Sequence, residues 1–167
     1  MEVQPDPELF REVFGRFATG VAVITVAGPG GVGGMTANAL CSVSIDPLLA
    51  LVCFANQART LNAVREAGAF AVNLLAKDQH DVAAAFASKM PEAEKIASVD
   101  HRLVSGMPVI EDTIAWAVLE LRELLAGGDH TIAIGEVVRL GLGIGEPLLW
   151  FEGRYWTLPD AHHRKPG

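Results

Sequence analysis

Residues 33–47 read GGMTANALCSVSIDP, with apolar residues at every second position from Met35 to Ile45 and Thr36, Asn38, Ser42, Ser44 and Asp46 among those between them. Period-two alternation predicts a strand with one buried face. The other face is unusual, because a wet strand face normally carries long charged chains that solvate well and discourage edge pairing. Short hydroxyls and an amide would suit a flat polar ligand, held so close that longer side chains would obstruct it. An edge or loop-covered strand with adventitious Ser and Thr has the same composition. A second candidate is Asn56-Gln57-Ala58-Arg59-Thr60, where a strand gives way to a helix. Free N–H groups, the helix dipole, the Arg59 guanidinium and the Thr60 hydroxyl would converge there on an anion such as phosphate. A simple helix N-cap explains Thr60 equally well. His130 opens a strand after Gly127-Gly128-Asp129, a place for a solvated turn residue or for a ligand contact. Tyr155 and Trp156 carry the same ambiguity, being equally at home as aromatics at the edge of a core.

Other chemistries lack their residues. No Ser or Cys sits in G-x-S-x-G, and no His, Cys and carboxylate cluster has metal-ligand spacing, so no metal site is expected. The carboxylate pairs Glu92/Glu94 and Glu111/Asp112 fall in expected loops and read as solvent contacts. Residues 28–33, Gly-Pro-Gly-Gly-Val-Gly, match G-x-G-x-x-G after a strand. A dinucleotide fold needs a helix next, and the alternating stretch follows instead. Any reaction would therefore be carried by a cofactor.

The elements that would position these residues form one domain spanning 1–167, a length that favours a single core. Hydrophobic residues make up 50% and charged residues 20%, with net charge −7, which favours neither nucleic acid nor an anionic membrane. The only basic cluster is His162-His163-Arg164-Lys165 at the tail. The longest apolar run, residues 48–55, is far short of the roughly 20 that span a bilayer, so no membrane span is expected. The acidic, Pro-containing start is wrong for a signal peptide. Cys41 and Cys53 lie in apolar strand patterns, and buried free thiols fit a reducing cytoplasm. Asp6 is placed to cap a helix that carries the stripe Leu9, Phe10, Val13, Phe14 and Phe17. Strands are predicted at 21–27, along the quoted stretch, and at 48–54, 69–75, 113–127, 130–140 and 148–155. The 113–127 segment is ambiguous by composition, and the Gly-Gly-Asp turn after it decides for a strand. Helices are predicted at 60–67, closed by Gly68, and at 77–88. Residues 28–34 read as a turn or flexible loop, and 89–112 as irregular and exposed. Antiparallel strands with a few short helices suggest a small β-barrel with helical covers.

In order, FREVFGRFATGVAVIT (10–25), GMTANALCSVSIDP (34–47), ARTLNAV (58–64), GAFAVNLL (68–75), GGDHTIAIGEV (127–137) and PLLWFEGRY (147–155) resemble the flavin reductase family of the FMN-binding split-barrel fold. Each piece alone is weak, whereas six in sequence from about Leu9 to Tyr155 are specific. The resemblance implies a mainly β fold, an antiparallel Greek-key split β-barrel with a few α-helices. It implies an NAD(P)H:flavin oxidoreductase that moves hydride from NADH or NADPH to FMN or FAD and supplies reduced flavin to a partner monooxygenase. A homodimer is also implied. By the same resemblance Thr36, Ala37, Asn38, Ala39 and Ser42 line the isoalloxazine and ribityl chain. Arg59 and Thr60 bind the phosphate, and Ser88 and Lys89 close that side. His130 is the catalytic-site residue beside the nicotinamide, with Tyr155 nearby. Many relatives have serine at the positions of Ala39 and Ala58, so this chain lacks two hydroxyls that they offer the flavin. Two rivals are a flavin-binding electron carrier on the same barrel and a flavin oxidase of the pyridoxamine-phosphate oxidase type. The oxidase needs basic residues for a second phosphate, and few stand near the motifs.

Overall fold

Alternation and β-branching build most of the chain into strands. The computed structural model describes residues 4–159. The elements are α1 (Pro7–Gly15), β1 (Thr19–Gly20), β2 (Ala22–Gly28), β3 (Gly31–Ala37), β4 (Leu40–Ile45), β5 (Leu48–Ala55), α2 (Arg59–Ala67) and β6 (Ala69–Leu74). They continue through α3 (His80–Ala87), α4 (Glu92–Ala97), β7 (His101–Val104), β8 (Met107–Ile110), β9 (Ala115–Gly127), β10 (His130–Leu142), β11 (Leu148–Phe151) and β12 (Arg154–Thr157). Asp6 caps α1 as expected, its carboxylate accepting the N–H groups of Glu8 at 2.8 Å and Leu9 at 3.0 Å.

Seven antiparallel strands lie in the order β3-β2-β6-β9-β10-β5-β4. A three-stranded sheet β1-β11-β12 and the hairpin β7-β8 complete the set. β3 and β4 occupy opposite edges of the large sheet, yet only Asn38 and Ala39 separate them in the chain. Laid flat, those edges would stand about 29 Å apart at roughly 4.8 Å per strand. Three Cα steps reach only about 11 Å. The sheet must therefore roll until its edges approach, which is the mainly β, barrel-like architecture the resemblance implies. The Cys53 N–H donates to the Ala39 carbonyl at 2.9 Å and fastens the junction to β5.

β2 is buried on both faces, which explains a run of apolar residues interrupted only by Thr25 before Gly28. One face joins Ile24 and Val26 to Val52, Phe54, Phe70 and Leu119 and to Leu61 and Val64 of α2. The other packs Val23 with Leu75, Phe86, Ile96 and Leu148 beneath α3 and α4. Each of these large side chains contributes about 1.5–3 kcal/mol through burial.

Several expectations are corrected. The glycine run is mostly strand, since only Pro29 and Gly30 separate β2 from β3. A Cβ on Gly34 would lie 2.7 Å from the Phe86 ring and 2.8 Å from the Ile24 carbonyl oxygen. Glycine there marks the close approach of α3, not a loop. The quoted stretch is two strands rather than one, and its apolar positions Cys41, Val43 and Ile45 are exposed on β4 instead of buried. Residues 89–112 are exposed over much of their length, as expected, but they are not irregular: α4 and the β7-β8 hairpin occupy them, and Met107–Ile110 is buried. The reason is polar. Asn73, fully buried, donates to the Val23 carbonyl and to Thr25 Oγ1, both at 3.0 Å. It accepts the Ile110 N–H at 2.8 Å, and Thr25 Oγ1 donates to the Pro108 carbonyl, so the hairpin is clipped to the sheet. α2 begins at Arg59 with Ala58 as its N-cap, so Thr60 is not the cap. Gly68 closes that helix in the left-handed conformation, as expected. The 148–155 strand is a hairpin of two. The basic cluster His162-His163-Arg164-Lys165 lies outside the described residues. Among those residues no helix is long and apolar enough to cross a membrane.

Candidate functional site

Three recesses follow the chain where β3 leaves for β4. The middle one, about 210 Å³, is walled by Thr36, Ala37, Asn38, Ala87, Trp150 and Tyr155 together with Val21. It adjoins a charged recess of about 380 Å³ through the shared residues Thr36 and Ala87. Gly34, Arg59, Thr60, Ser88, Glu92 and Lys95 stand around that one. Through Asn38 the middle recess adjoins a third of about 490 Å³, where Phe14 and Phe17 face Ala39, Leu40 and Leu74. Together they make a groove with one charged end and one apolar end. A larger cavity of about 570 Å³ lies elsewhere, between Ala76–Asp78, Glu111–Thr113 and Leu142–Glu146. It holds the Glu111/Asp112 pair read as solvent contacts but none of the residues expected at the flavin or nicotinamide, so size alone does not mark the site.

The charged end has what an anion needs. No side chain caps α2, and although the Leu61 N–H donates to the Ala58 carbonyl at 3.1 Å, the N–H groups of Arg59 and Thr60 ahead of it stay available. Thr60 is 4% exposed, and its hydroxyl has no partner among the described residues. The Arg59 guanidinium, 64% exposed, lies 3.2 Å from the Glu92 carboxylate. Ser88 Oγ donates to the Ala85 carbonyl at 2.7 Å and accepts the Met90 N–H at 3.1 Å, so its hydroxyl is committed to ending α3. Lys89 is exposed and lies outside this lining. Uncapped helix start, guanidinium and open hydroxyl fit a phosphate.

In the middle, Thr36 Oγ1 donates to the Ala83 carbonyl at 2.6 Å, tying β3 to α3. Asn38 Nδ2 donates to Thr19 Oγ1 at 3.2 Å. Tyr155 stands edge-on to Trp150 with ring centroids 5.0 Å apart, and burial raises the pKa of its phenol. It is therefore a neutral hydroxyl at physiological pH. Ser42 is the exception among the strand residues. It sits on β4 opposite Ala50, exposed, and lines none of the three recesses.

His130 starts β10 opposite Ala55. Its Nδ1 lies 2.8 Å from Asp129 Oδ1. A carboxylate only accepts, so Nδ1–H donates, and Nε2 is the ring nitrogen left outside that bond. That hydrogen bond first, and the charge of a protonated ring second, hold the Asp129 carboxyl below its ordinary value. His130 lines none of the three recesses; β5, the strand it faces at Ala55, is the one that the Ala39 carbonyl bonds further along, at Cys53.

Four contributors were not picked out as site residues from sequence. Asn56 donates its backbone N–H to the Asp129 carbonyl and its Nδ2 to the Gly128 carbonyl, both at 3.0 Å. Its Oδ1 accepts from Thr131 Oγ1 at 2.8 Å. One residue therefore holds the His130 corner against the turn that leads into α2. Glu92 and Lys95 fall in the segment read as a loop, although their i,i+3 spacing was a helical signal. Phe14 belonged to a visible apolar stripe, but nothing in the stripe said which groove it would face.

Residues 14–159 match the family model described as flavin reductase like domain. The stachydrine N-demethylase reductase subunit Stc3 of Rhizobium meliloti (strain 1021) is 40% identical over 134 residues, covering 79% of this chain and 57% of that one. An NADH-dependent flavin reductase from Rhodococcus sp is 35% identical over 160 residues, covering 92% of this chain and 89% of the relative. The chain spans about half the length of the first curated relatives it matches. Among solved structures, the Streptomyces globisporus C-1027 NADH:FAD oxidoreductase SgcE6, in complex with NAD and FAD fragments, superimposes with a TM-score of 0.89 at 36% identity. That superposition covers 97% of this chain and 99% of the other. The matched span takes in every strand from β1 to β12 and the whole groove along residues 36–40, and on that ground the chain belongs to the flavin reductase like domain family.

Proposed function

We propose that this chain is an NAD(P)H-dependent flavin reductase that moves hydride from NADH or NADPH to FMN or FAD and supplies reduced flavin to a separate monooxygenase. The observation that carries the reading is the charged end of the groove. The uncapped start of α2, Arg59 and the unpartnered Thr60 hydroxyl meet there, and a wall of short neutral side chains continues from it. When bound, the flavin supplies the two-electron chemistry, which is why no acid/base pair is needed in the protein. Arg59 and Thr60 hold the phosphate, while Thr36, Ala37, Asn38 and Ala39 lie along the ribityl chain and ring with Tyr155 across from them. Ser88 and Lys89 flank the phosphate side, and Ser42 contributes from the adjoining strand. His130, oriented by Asp129 and Asn56, presents Nε2 to the nicotinamide amide and fixes its approach. Relatives named for NADH favour NADH as the donor.

The working unit we propose is a single domain, 1–167, acting as a homodimer in the cytoplasm, where two free thiols would persist. The support for pairing is β4, an edge strand that leaves Val43 46% and Ile45 89% exposed. Purified protein incubated with NADH or NADPH and with FMN or FAD tests the reading through loss of nicotinamide absorbance. Flavin-dependent oxidation is expected. No oxidation with either nucleotide would overturn it, and bound flavin without turnover would make the protein an electron carrier.

A further inference from the structure

The charged end of the groove already contains an anion. One Glu92 oxygen accepts the Gly34 backbone N–H at 2.9 Å. The other lies 3.2 Å from the Arg59 guanidinium and 3.3 Å from the Lys95 ammonium. Lys95 is 3% exposed, and besides Glu92 it reaches the Phe86 carbonyl at 3.3 Å. A buried ammonium requires a counter-charge, and Glu92 supplies it. Both cations around this recess are thus partnered by a carboxylate of the same chain, while the Thr60 hydroxyl beside them stays open.

We infer that Glu92 is an internal competitor for the phosphate of an incoming flavin, an inference that rests on the flavin reading above. In the ligand-free protein its carboxylate occupies Arg59 and Lys95. A phosphate entering beside Thr60 takes Arg59 from Glu92 or shares it, and it meets a like charge a few ångströms away. Both effects weaken the hold on the phosphate and leave contacts with the ring and ribityl chain untouched. The device suits a protein that must release reduced flavin to another enzyme, because it shortens residence without removing any contact. A purely structural Glu92, fastening α4 to β3 through Gly34, would have no such effect on affinity.

The test is the affinity of the full-length protein for FMN and for riboflavin, which lacks the phosphate, in wild type and Glu92→Gln. Gln keeps an acceptor for the Gly34 N–H and removes only the charge. FMN should bind on the order of three- to ten-fold more tightly to the variant, chiefly through slower dissociation, with riboflavin unchanged. The rise in Tm caused by FMN should also exceed that of wild type, because the ligand would neutralise a Lys95 left without its partner. Unchanged or weaker FMN binding would overturn the inference, and so would equal tightening of riboflavin. Should Glu92→Gln not fold, Glu92→Asp withdraws the charge by one methylene and is read in the same way, with a smaller expected gain. A wild-type protein that binds neither flavin would instead refute the flavin reading itself.

Discussion

β3 and β4 carry the two halves of one alternating pattern and meet opposite fates. On β3 the glycines lie against α3 and α4, Thr36 ties into α3, and Ala37 is nearly buried beside the groove. On β4 the same alternation leaves Cys41, Val43 and Ile45 on an open edge, with Ser42 exposed as well. Periodicity fixes which side chains share a face. It does not fix what that face meets, because the neighbours come from elsewhere in the chain.

The contrast can be broken most forcefully at Gly34. Gly34→Ala should cost about 2–3 kcal/mol in urea unfolding, since the new methyl would press on backbone as well as on Phe86. Ser42→Ala, on the other half, should stay within about 0.5 kcal/mol. Equal effects at the two sites would remove the distinction between the strands. Ile45→Arg addresses the β4 edge from the other direction. The variant should weaken self-association by about ten-fold or more in sedimentation while leaving the monomer folded. An unaltered assembly would show that this edge is not the interface.

How much of this was legible follows the same division. Strands at 21–27, 48–54, 69–75 and 130–140 were readable because their patterning is local and strong, and the Asp6 cap and Gly68 stop were readable from single residues. The roll of the sheet was not written in any one segment. It follows from two edge strands being joined by Asn38 and Ala39. The β7-β8 hairpin was hidden because its burial depends on Asn73, distant in sequence, reaching the Ile110 N–H. Of the residues lining the recesses, Arg59 and Thr60 stood out at the helix start after a strand, Thr36 and Asn38 through the alternation, and Ala37, Ala39 and Tyr155 through the resemblance. Glu92 looked like a solvated acid because its three partners come from β3, α2 and its own helix.

Smaller effects sharpen the picture at the groove. Thr60→Val removes a hydroxyl at constant shape. It should raise the FMN dissociation constant about five- to ten-fold and leave riboflavin binding alone. Equal loss for both flavins would move Thr60 away from the phosphate. His130→Ala should raise the KM for the nicotinamide nucleotide several-fold, with flavin affinity retained, and Asn56→Ala should do the same more weakly by loosening the 128–131 corner. Unchanged kinetics in His130→Ala would take His130 out of the site.

The most direct measurement is a crystal structure with FMN bound. The phosphate should lie within hydrogen-bond distance of Arg59 and Thr60, with the ring running along Thr36 to Ala39. Flavin bound at the larger cavity beside Glu111 and Glu146, or against Ser42 and Ser44 with the groove left open, would contradict the account.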